Sequence, residues 1–200
     1  MERIAGIILA AGESARMGED KALLSWTNKT FLEHLLAAVK NSGVRLVRVV
    51  LGANAEEVQK KIQFGAAEVV VNPDWRKGQL SSLNAALVTL PRSLVEAALV
   101  CLVDHPGISS RLLQTLIREF QQSGKLIVMP NYRGKRGHPV VFSAKLFDEL
   151  RAAPLEVGAR HVVRRHPGDI LEVATEEEGV LLNINDRTAY KKILKMSPPR

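Results

Sequence analysis

Cysteine is almost missing from this chain, with Cys101 alone among 200 residues. An internal disulfide is thereby excluded, which fits a reducing compartment, and the expected location is the cytoplasm. Long apolar runs are missing too: none approaches the roughly 20 residues that cross a bilayer, so no membrane partner is expected. No basic stretch leads into an apolar segment and a cleavage site near the N-terminus, and a secretory leader is not expected. The sequence has no HExxH, no Ser-His-Asp order and no zinc-ligand spacing, which leaves the common hydrolases without a signature. Aromatic residues are scarce at 4%, a poor supply for a surface that stacks nucleic-acid bases.

What is present is an ordinary globular composition, 46% apolar and 24% charged. Two hundred residues can bury a substantial core as one generous domain. The net charge of +7 points to an acidic partner, but the basic residues are spread along the chain. A small polyanion such as a nucleoside triphosphate answers that field as well as nucleic acid does; no nucleic-acid partner is expected.

Strand and helix patterns alternate almost from end to end. A strand at 3–10 is followed by a helix over "TFLEHLLAAVKNSG", with Thr30 and Glu33 in capping-box register and Gly43 as its stop. "RLVRVVLG", "AAEVVV", "AALVCLV" and "KLIVMP" read as strands. Between them lie helices that start at Asn54 as N-cap, at "LSSLNAALVTL", and after Ser109. Beyond Pro130 the order loosens into the strands "HPVVFS", "ILEVA" and "GVLLNI" and three further helices. Near-continuous apolar strands between amphipathic helices predict a doubly wound α/β domain, a mostly parallel sheet with helices on both faces. We expect one domain over 1–196, with 131–180 elaborating one edge, and a frayed tail at 197–200. In such sheets ligands sit beyond the carboxyl ends of the strands, which selects the loops at 11–21, 72–80, 104–107, 131–138 and 183–186.

The first of these loops, "LAAGESARMGEDK" at 9–21, follows an apolar, β-branched strand. Its small residues and glycines allow a close backbone approach to a ligand, and Arg16 and Lys21 suit an anion. Five residues separate Gly12 from Gly18, one too many for a P-loop, and Ser14 stands where a dinucleotide fingerprint needs glycine. A longer amide-lined turn suits a triphosphate tail; a structural turn with solvated charges would read the same way. Asp104 ends a buried strand, where a carboxylate either meets a metal-bound ligand or caps the turn stiffened by Pro106. His138 is either a surface hydrogen-bonding residue or part of a second binding site. Arg133, Lys135 and Arg136 beside it either hold an acceptor phosphate or are solvated.

The order of residues in the loop resembles the molybdenum-cofactor nucleotidyltransferase-like family. Leu9-Ala10-Ala11-Gly12, Ser14, Arg16-Met17-Gly18 and Lys21-Ala22-Leu23-Leu24 fall in that family's positions. "NPDWRKGQLSSL" at 72–83 is similar to its second nucleotide loop, with Asn72, Trp75, Gly78 and the Ser81-Ser82-Leu83 run in place. "CLVDHP" at 101–106 is similar to its metal-binding strand end, "GKRGHPVVF" at 134–142 to the segment facing the second substrate, and "GARHVVRRHP" and "NINDRTAY" to two further blocks.

The resemblance implies the Rossmann-like nucleotide-diphospho-sugar transferase fold and a Mg²⁺-dependent nucleotidyl transfer. By it, Arg16, Lys21 and Asp104 carry catalysis, Arg133, Arg136 and His138 meet the acceptor, and Asp104 binds the metal. The family's Asp-Ile-Asp run is here Asn183-Ile184-Asn185, so Asn185 is the implied second ligand, with Asp186 left to cap the last helix. Ala11, where the guanylyl branch carries glycine, and "RGHP" at 136–139 imply CTP as donor. The implied acceptor is a phosphorylated pterin, molybdenum-loaded molybdopterin, and the implied recipient of the product a molybdenum hydroxylase. A cytidylyltransferase for methylerythritol phosphate or another small acceptor, or a non-catalytic carrier of nucleotide or pterin, remains open at this stage.

Overall fold

The computed structural model describes residues 3–14 and 17–198. Its strands are β1 Ile4–Ala10, β2 Ser25–Trp26, β3 Lys29–Thr30, β4 Leu46–Leu51, β5 Glu68–Val71, β6 Ala97–Leu102, β7 Ile127–Tyr132, β8 Lys135–Arg136, β9 Val140–Ser143 and β10 Ile170–Ala174. Its helices are α1 Phe31–Asn41, α2 Ala55–Lys61, α3 Gln79–Leu87, α4 Ser110–Ser123, α5 Phe147–Ala152, α6 Arg160–Arg165 and α7 Arg187–Ile193.

The main sheet runs β10-β7-β9-β6-β1-β4-β5, with β8 paired to β7; β2 and β3 form a separate ribbon. β4, β1 and β6 are parallel, as are β5 with β4 and β10 with β7. β9 is inserted antiparallel between β6 and β7. Alternate residues of β1 feed two cores. Ile4 and Ile8 pack with Leu35, Leu113 and Ile193 of α1, α4 and α7. Ile7 and Leu9 pack with Leu83, Leu150 and Val162 of α3, α5 and α6. Both faces are therefore covered, which is why β1 and β6 are buried along their whole length. Among the described residues no helix is long and apolar enough to cross a membrane.

Local chemistry explains most element starts. Thr30 and Glu33 close a reciprocal capping box on α1, Ser109 caps α4, and the Asp186 side chain accepts from Ala189 N at 2.8 Å to start α7. Asn54 stands at the N-cap of α2 but makes no cap bond with its side chain. Its amide donates instead to Asp20 at 2.9 Å, tying the first loop to the β4–α2 turn.

Two expectations are corrected. Residues 131–180 do not form an edge elaboration, because β9 and β10 complete the main sheet. "GVLLNI" is not a strand; it opens with a short 3₁₀ turn at Glu178–Val180 and then crosses the strand ends irregularly. It is held by isolated backbone bonds, His138 N to Val180 O and Ile184 N to Asp104 O. Gly179 permits the crossing, since a Cβ there would collide with the Gly107 carbonyl oxygen.

Candidate functional site

β1 and β6 lie side by side and parallel, while the chain leaves them for opposite directions in the sheet. This switch opens a crevice at their carboxyl ends. A cleft of about 670 Å³ fills it. Leu9, Ala10, Ala11, Gly12, Ser14 and Lys21 from the first loop line it, facing Gly78 and Ser82 from the start of α3. Asp104 and Asn185 close its floor.

The first loop is held from within. Lys21 N donates to Ser14 Oγ at 3.0 Å and Met17 N to Ser14 O at 2.8 Å, while Ser14 itself adopts φ 55°. Asp20 accepts from Ala22 N at 2.8 Å and from Asn54. Burial pushes the Asp20 carboxyl above its usual range, and those two bonds pull it partly back. Asp20 is thus committed to shaping the loop.

Lys21 departs from the position its expected partner would give it. Its ammonium donates to Asn185 Oδ1 at 2.5 Å and lies 3.5 Å from Asp104 Oδ2. The two residues implied as metal ligands therefore direct their oxygens at one positive charge. Two converging oxygens are the donor set of a hard divalent ion. No group of three or more His, Cys, Asp or Glu that could hold a metal occurs among the described residues, so the remaining ligands would be phosphate oxygens and water. The residues present fit such an ion.

The other face of Asp104 meets histidines. His105 Nε2 is 3.9 Å from Asp104 Oδ1, and the His105 and His138 rings are 5.3 Å apart. Nδ1 of each ring is buried without a hydrogen-bond partner. Burial lowers the pKa of both: His105 falls below its usual value, and His138 falls to about 4 with His105 adding to the effect. Both are neutral at pH 7. Burial alone pushes the Cys101 thiol to about 12, far from a nucleophile's range.

A second cavity of about 600 Å³ opens beside the first. Its floor is apolar, with Leu83, Val100, Met129, Phe142 and Val163, and Arg76, Lys77, Arg136 and Arg160 stand around it. Leu9, Arg76, Gly78, Gln79 and Leu102 line both spaces. The passage between them is the start of α3, where Gly78 takes φ 101° and ψ 177°. That conformation is essentially restricted to glycine, and it swings the chain from the Trp75–Lys77 turn into the helix.

Not every residue selected from sequence reaches a wall. Asn72 is buried and donates to Ser81 Oγ and Ser82 Oγ, both at 3.0 Å, while Ser81 bonds the Asp74 and Gly78 carbonyls. Asn72 and Ser81 brace the second loop and line neither cavity, and Gly18 also stands outside the cleft wall. Arg133 lies over the Tyr132 ring at 5.0 Å and lines neither cavity. Arg136 and His138 do line the second cavity, with Arg136 also paired to Glu172 at 2.7 Å. Arg16 lies outside the described residues. Trp75 of the second loop stands in the first wall, and Arg76 and Gln79, not selected, join it there. The "WRKGQ" run after a proline turn was the available signal.

Comparison with known proteins agrees with this geometry. Residues 6–170 match the MobA-like NTP transferase domain. The chain is 31% identical to nicotine blue oxidoreductase of Paenarthrobacter nicotinovorans, over 88% of this chain and 90% of that one. It is 26% identical to a probable molybdenum cofactor guanylyltransferase of Flavobacterium johnsoniae, covering 92% and 93% of the two chains. It is equally 26% identical to the molybdenum cofactor cytidylyltransferase of Escherichia coli K12, covering 92% of each. The crystal structure of Rv0371c from Mycobacterium tuberculosis H37Rv superimposes with a TM-score of 0.84 at 27% identity, covering 97% and 98% of the two chains. The fold is that of the Rossmann-like NTP transferases, and the match spans the first loop, the Asp104 strand end and the 134–142 segment together. On these grounds the chain belongs to the MobA-like NTP transferase family.

Proposed function

We propose that this chain transfers the CMP moiety of CTP to the phosphate of molybdenum-loaded molybdopterin and releases pyrophosphate. The observation that carries the reading is one of placement. A cation, a carboxylate and an amide oxygen meet in a cleft walled by the first loop, and a more apolar cavity of similar size opens beside it. A triphosphate suits the first space and a flat heterocycle with an acidic tail suits the second, with basic residues at its rim.

In this reading an acceptor phosphate oxygen attacks the α-phosphorus of the nucleotide in line. The new P–O bond forms as the bond to the oxygen bridging α- and β-phosphorus breaks, and pyrophosphate leaves with that electron pair. The chain supplies no nucleophile; it orients two anions and offsets their charge. Amides of residues 11–14, with Lys21 and Arg16, balance the leaving pyrophosphate. Arg136 and His138 face the acceptor, and neutral His138 can donate or accept a hydrogen bond without adding charge. Asp104 and Asn185 would hold Mg²⁺, whose chemistry is polarisation of the α-phosphate and neutralisation of charge. Ala11 in place of glycine favours CTP over GTP as donor. A molybdenum hydroxylase would receive the product.

The test is pyrophosphate release with each of the four nucleoside triphosphates and Mg²⁺, with and without molybdenum-loaded molybdopterin. Release with CTP that requires the pterin supports the proposal. Release with GTP alone corrects the donor, and binding of both substrates without release identifies a carrier. A redox role is the second reading, favoured by the 31% identity to an oxidoreductase. Interconversion of the oxidised and reduced forms of nicotine blue by the protein with an added redox partner, with no pyrophosphate released from any donor, would select it.

A further inference from the structure

The contact between Lys21 and the two implied metal ligands is left unused by the reaction just described, which needs that ammonium at the phosphates. We infer that Lys21 is the resident cation of the metal site: it satisfies Asp104 and Asn185 until a nucleotide arrives, and leaves them as the divalent ion enters. The inference rests on the metal reading above.

Three observations support it. The contact is direct and sheltered: Nζ is 2.5 Å from Asn185 Oδ1 and 3.5 Å from Asp104 Oδ2, with side-chain exposures of 15% for Lys21 and 20% for Asp104. The backbone of Lys21 is held by bonds separate from those its side chain makes. Its N–H donates to Ser14 Oγ and its carbonyl accepts from Leu24 N. The four-carbon stem can therefore swing without disturbing the loop, and the same cleft is walled by Gly12 and Ser14, where a phosphate would take up the ammonium. Third, the charges balance only because position 185 is asparagine. One ammonium neutralises the single carboxylate, and the amide oxygen adds a bond but no charge. Asp20, another acid in the wall, is occupied by Asn54 and Ala22 N. A second carboxylate at 185 would leave the site net negative and attractive to free metal.

The consequence is coupling. A divalent ion approaching the nucleotide-free chain must displace one cation and then sit beside it, so its affinity is low. The phosphates of a bound nucleotide give Lys21 a better partner and supply ligands to the ion at once. Nucleotide and metal then tighten each other by the same factor, as linkage requires.

The experiment is titration of the whole protein with Mn²⁺, following the free aquo-ion by electron paramagnetic resonance. It is run without nucleotide and with a CTP analogue whose α,β-bridge is methylene. Without nucleotide, Lys21→Met should bind Mn²⁺ about tenfold more tightly than the unaltered chain, and Asn185→Asp should also bind more tightly. Lys21→Arg, which keeps a cation in place, should not gain affinity. The enhancement of Mn²⁺ binding by the analogue should shrink in Lys21→Met. Thermal unfolding of each variant shows whether it is folded, and Lys21→Gln serves as the neutral variant if Lys21→Met is not. Equal or weaker Mn²⁺ binding in the neutral variant, with binding still lost in Asp104→Ala, overturns the exchange and leaves the metal site standing. Unchanged Mn²⁺ binding in Asp104→Ala overturns the metal reading and the exchange with it.

Discussion

A carboxylate gains force when few charges share its space. Asp104 is a single acid on the floor of the cleft, with an ammonium on one oxygen and a neutral imidazole 3.9 Å from the other. Removing it takes away the carboxylate that meets Lys21 beside Asn185, whereas the fold loses only a partly exposed side chain. Asp104→Ala is expected to lower pyrophosphate release by on the order of a hundredfold or more, with a melting temperature close to that of the unaltered protein. Turnover restored by high Mg²⁺ would show the metal to be held elsewhere. Lys21 lies on the other side of the same balance. Because its proposed work is to meet charge that grows on the leaving pyrophosphate, Lys21→Ala should reduce kcat by roughly 10²-fold while changing the acceptor KM little. Steady-state kinetics in both substrates decides this; an effect confined to the acceptor KM would remove the first loop from the triphosphate.

At the scale of elements, what matters is how each loop is aimed. α3 begins at the passage between the two cavities, and Gly78 sets its direction with a backbone conformation that a side chain resists. Gly78→Ala is expected to cost about 1–3 kcal/mol of stability and to raise KM for both substrates, measured by urea unfolding and by kinetics; a variant of normal stability and KM would show the turn to be tolerant. The helices with chemical punctuation were legible from sequence. Thr30 with Glu33, Ser109 and Asp186 start α1, α4 and α7 as their side chains predict, and β6 is buried along its length as its unbroken apolar run predicts. Asn54 was less legible, since the same side chain can cap a helix or bond a distant carboxylate, and the Asp20 carboxylate is brought near only by the fold. The "GVLLNI" run reads as a strand because it is mostly apolar, and Val180 and Ile184 are indeed buried. Their burial comes from crossing strand ends between Gly107 and Gly137, a tertiary event with no local period. The first cleft was largely legible, because the Gly12 loop and Asp104 both follow parallel neighbours β1 and β6. The second cavity was not, for its wall gathers short pieces of β6, β7, β9, α3 and the 155–160 turn. Arg133 shows the limit well: three residues from Arg136, it turns onto Tyr132 instead of into the cavity.

The molecule as a whole carries a surplus of positive charge, +7, and it buries two histidines whose surroundings disfavour a charge. His138 packs against the His105 ring, with the Asp104 carboxylate beyond it and the backbone of the 179–180 turn against His105. Burial and the neighbouring imidazole oppose a charge on His138, while Asp104 favours one too weakly to prevail. An unfolded chain protonates this imidazole near 6.5, the folded chain only at about 4. Between those values the unfolded state binds the extra proton, so stability present at pH 7 is lost as pH falls through 6.5 towards 4. The loss attributable to His138 is up to about 3 kcal/mol, and His105, lowered for the same reason, adds to it in the same direction. Acid also raises the net positive charge, which works against compactness throughout. These contributions separate on substitution. His138→Gln keeps a polar side chain of similar reach but cannot take up the proton. Urea unfolding at pH 7 and pH 4.5 should therefore show a smaller difference in stability for the variant, with a residual dependence from His105 and the general charge. An undiminished difference would mean that the buried pair is not where the acid sensitivity resides.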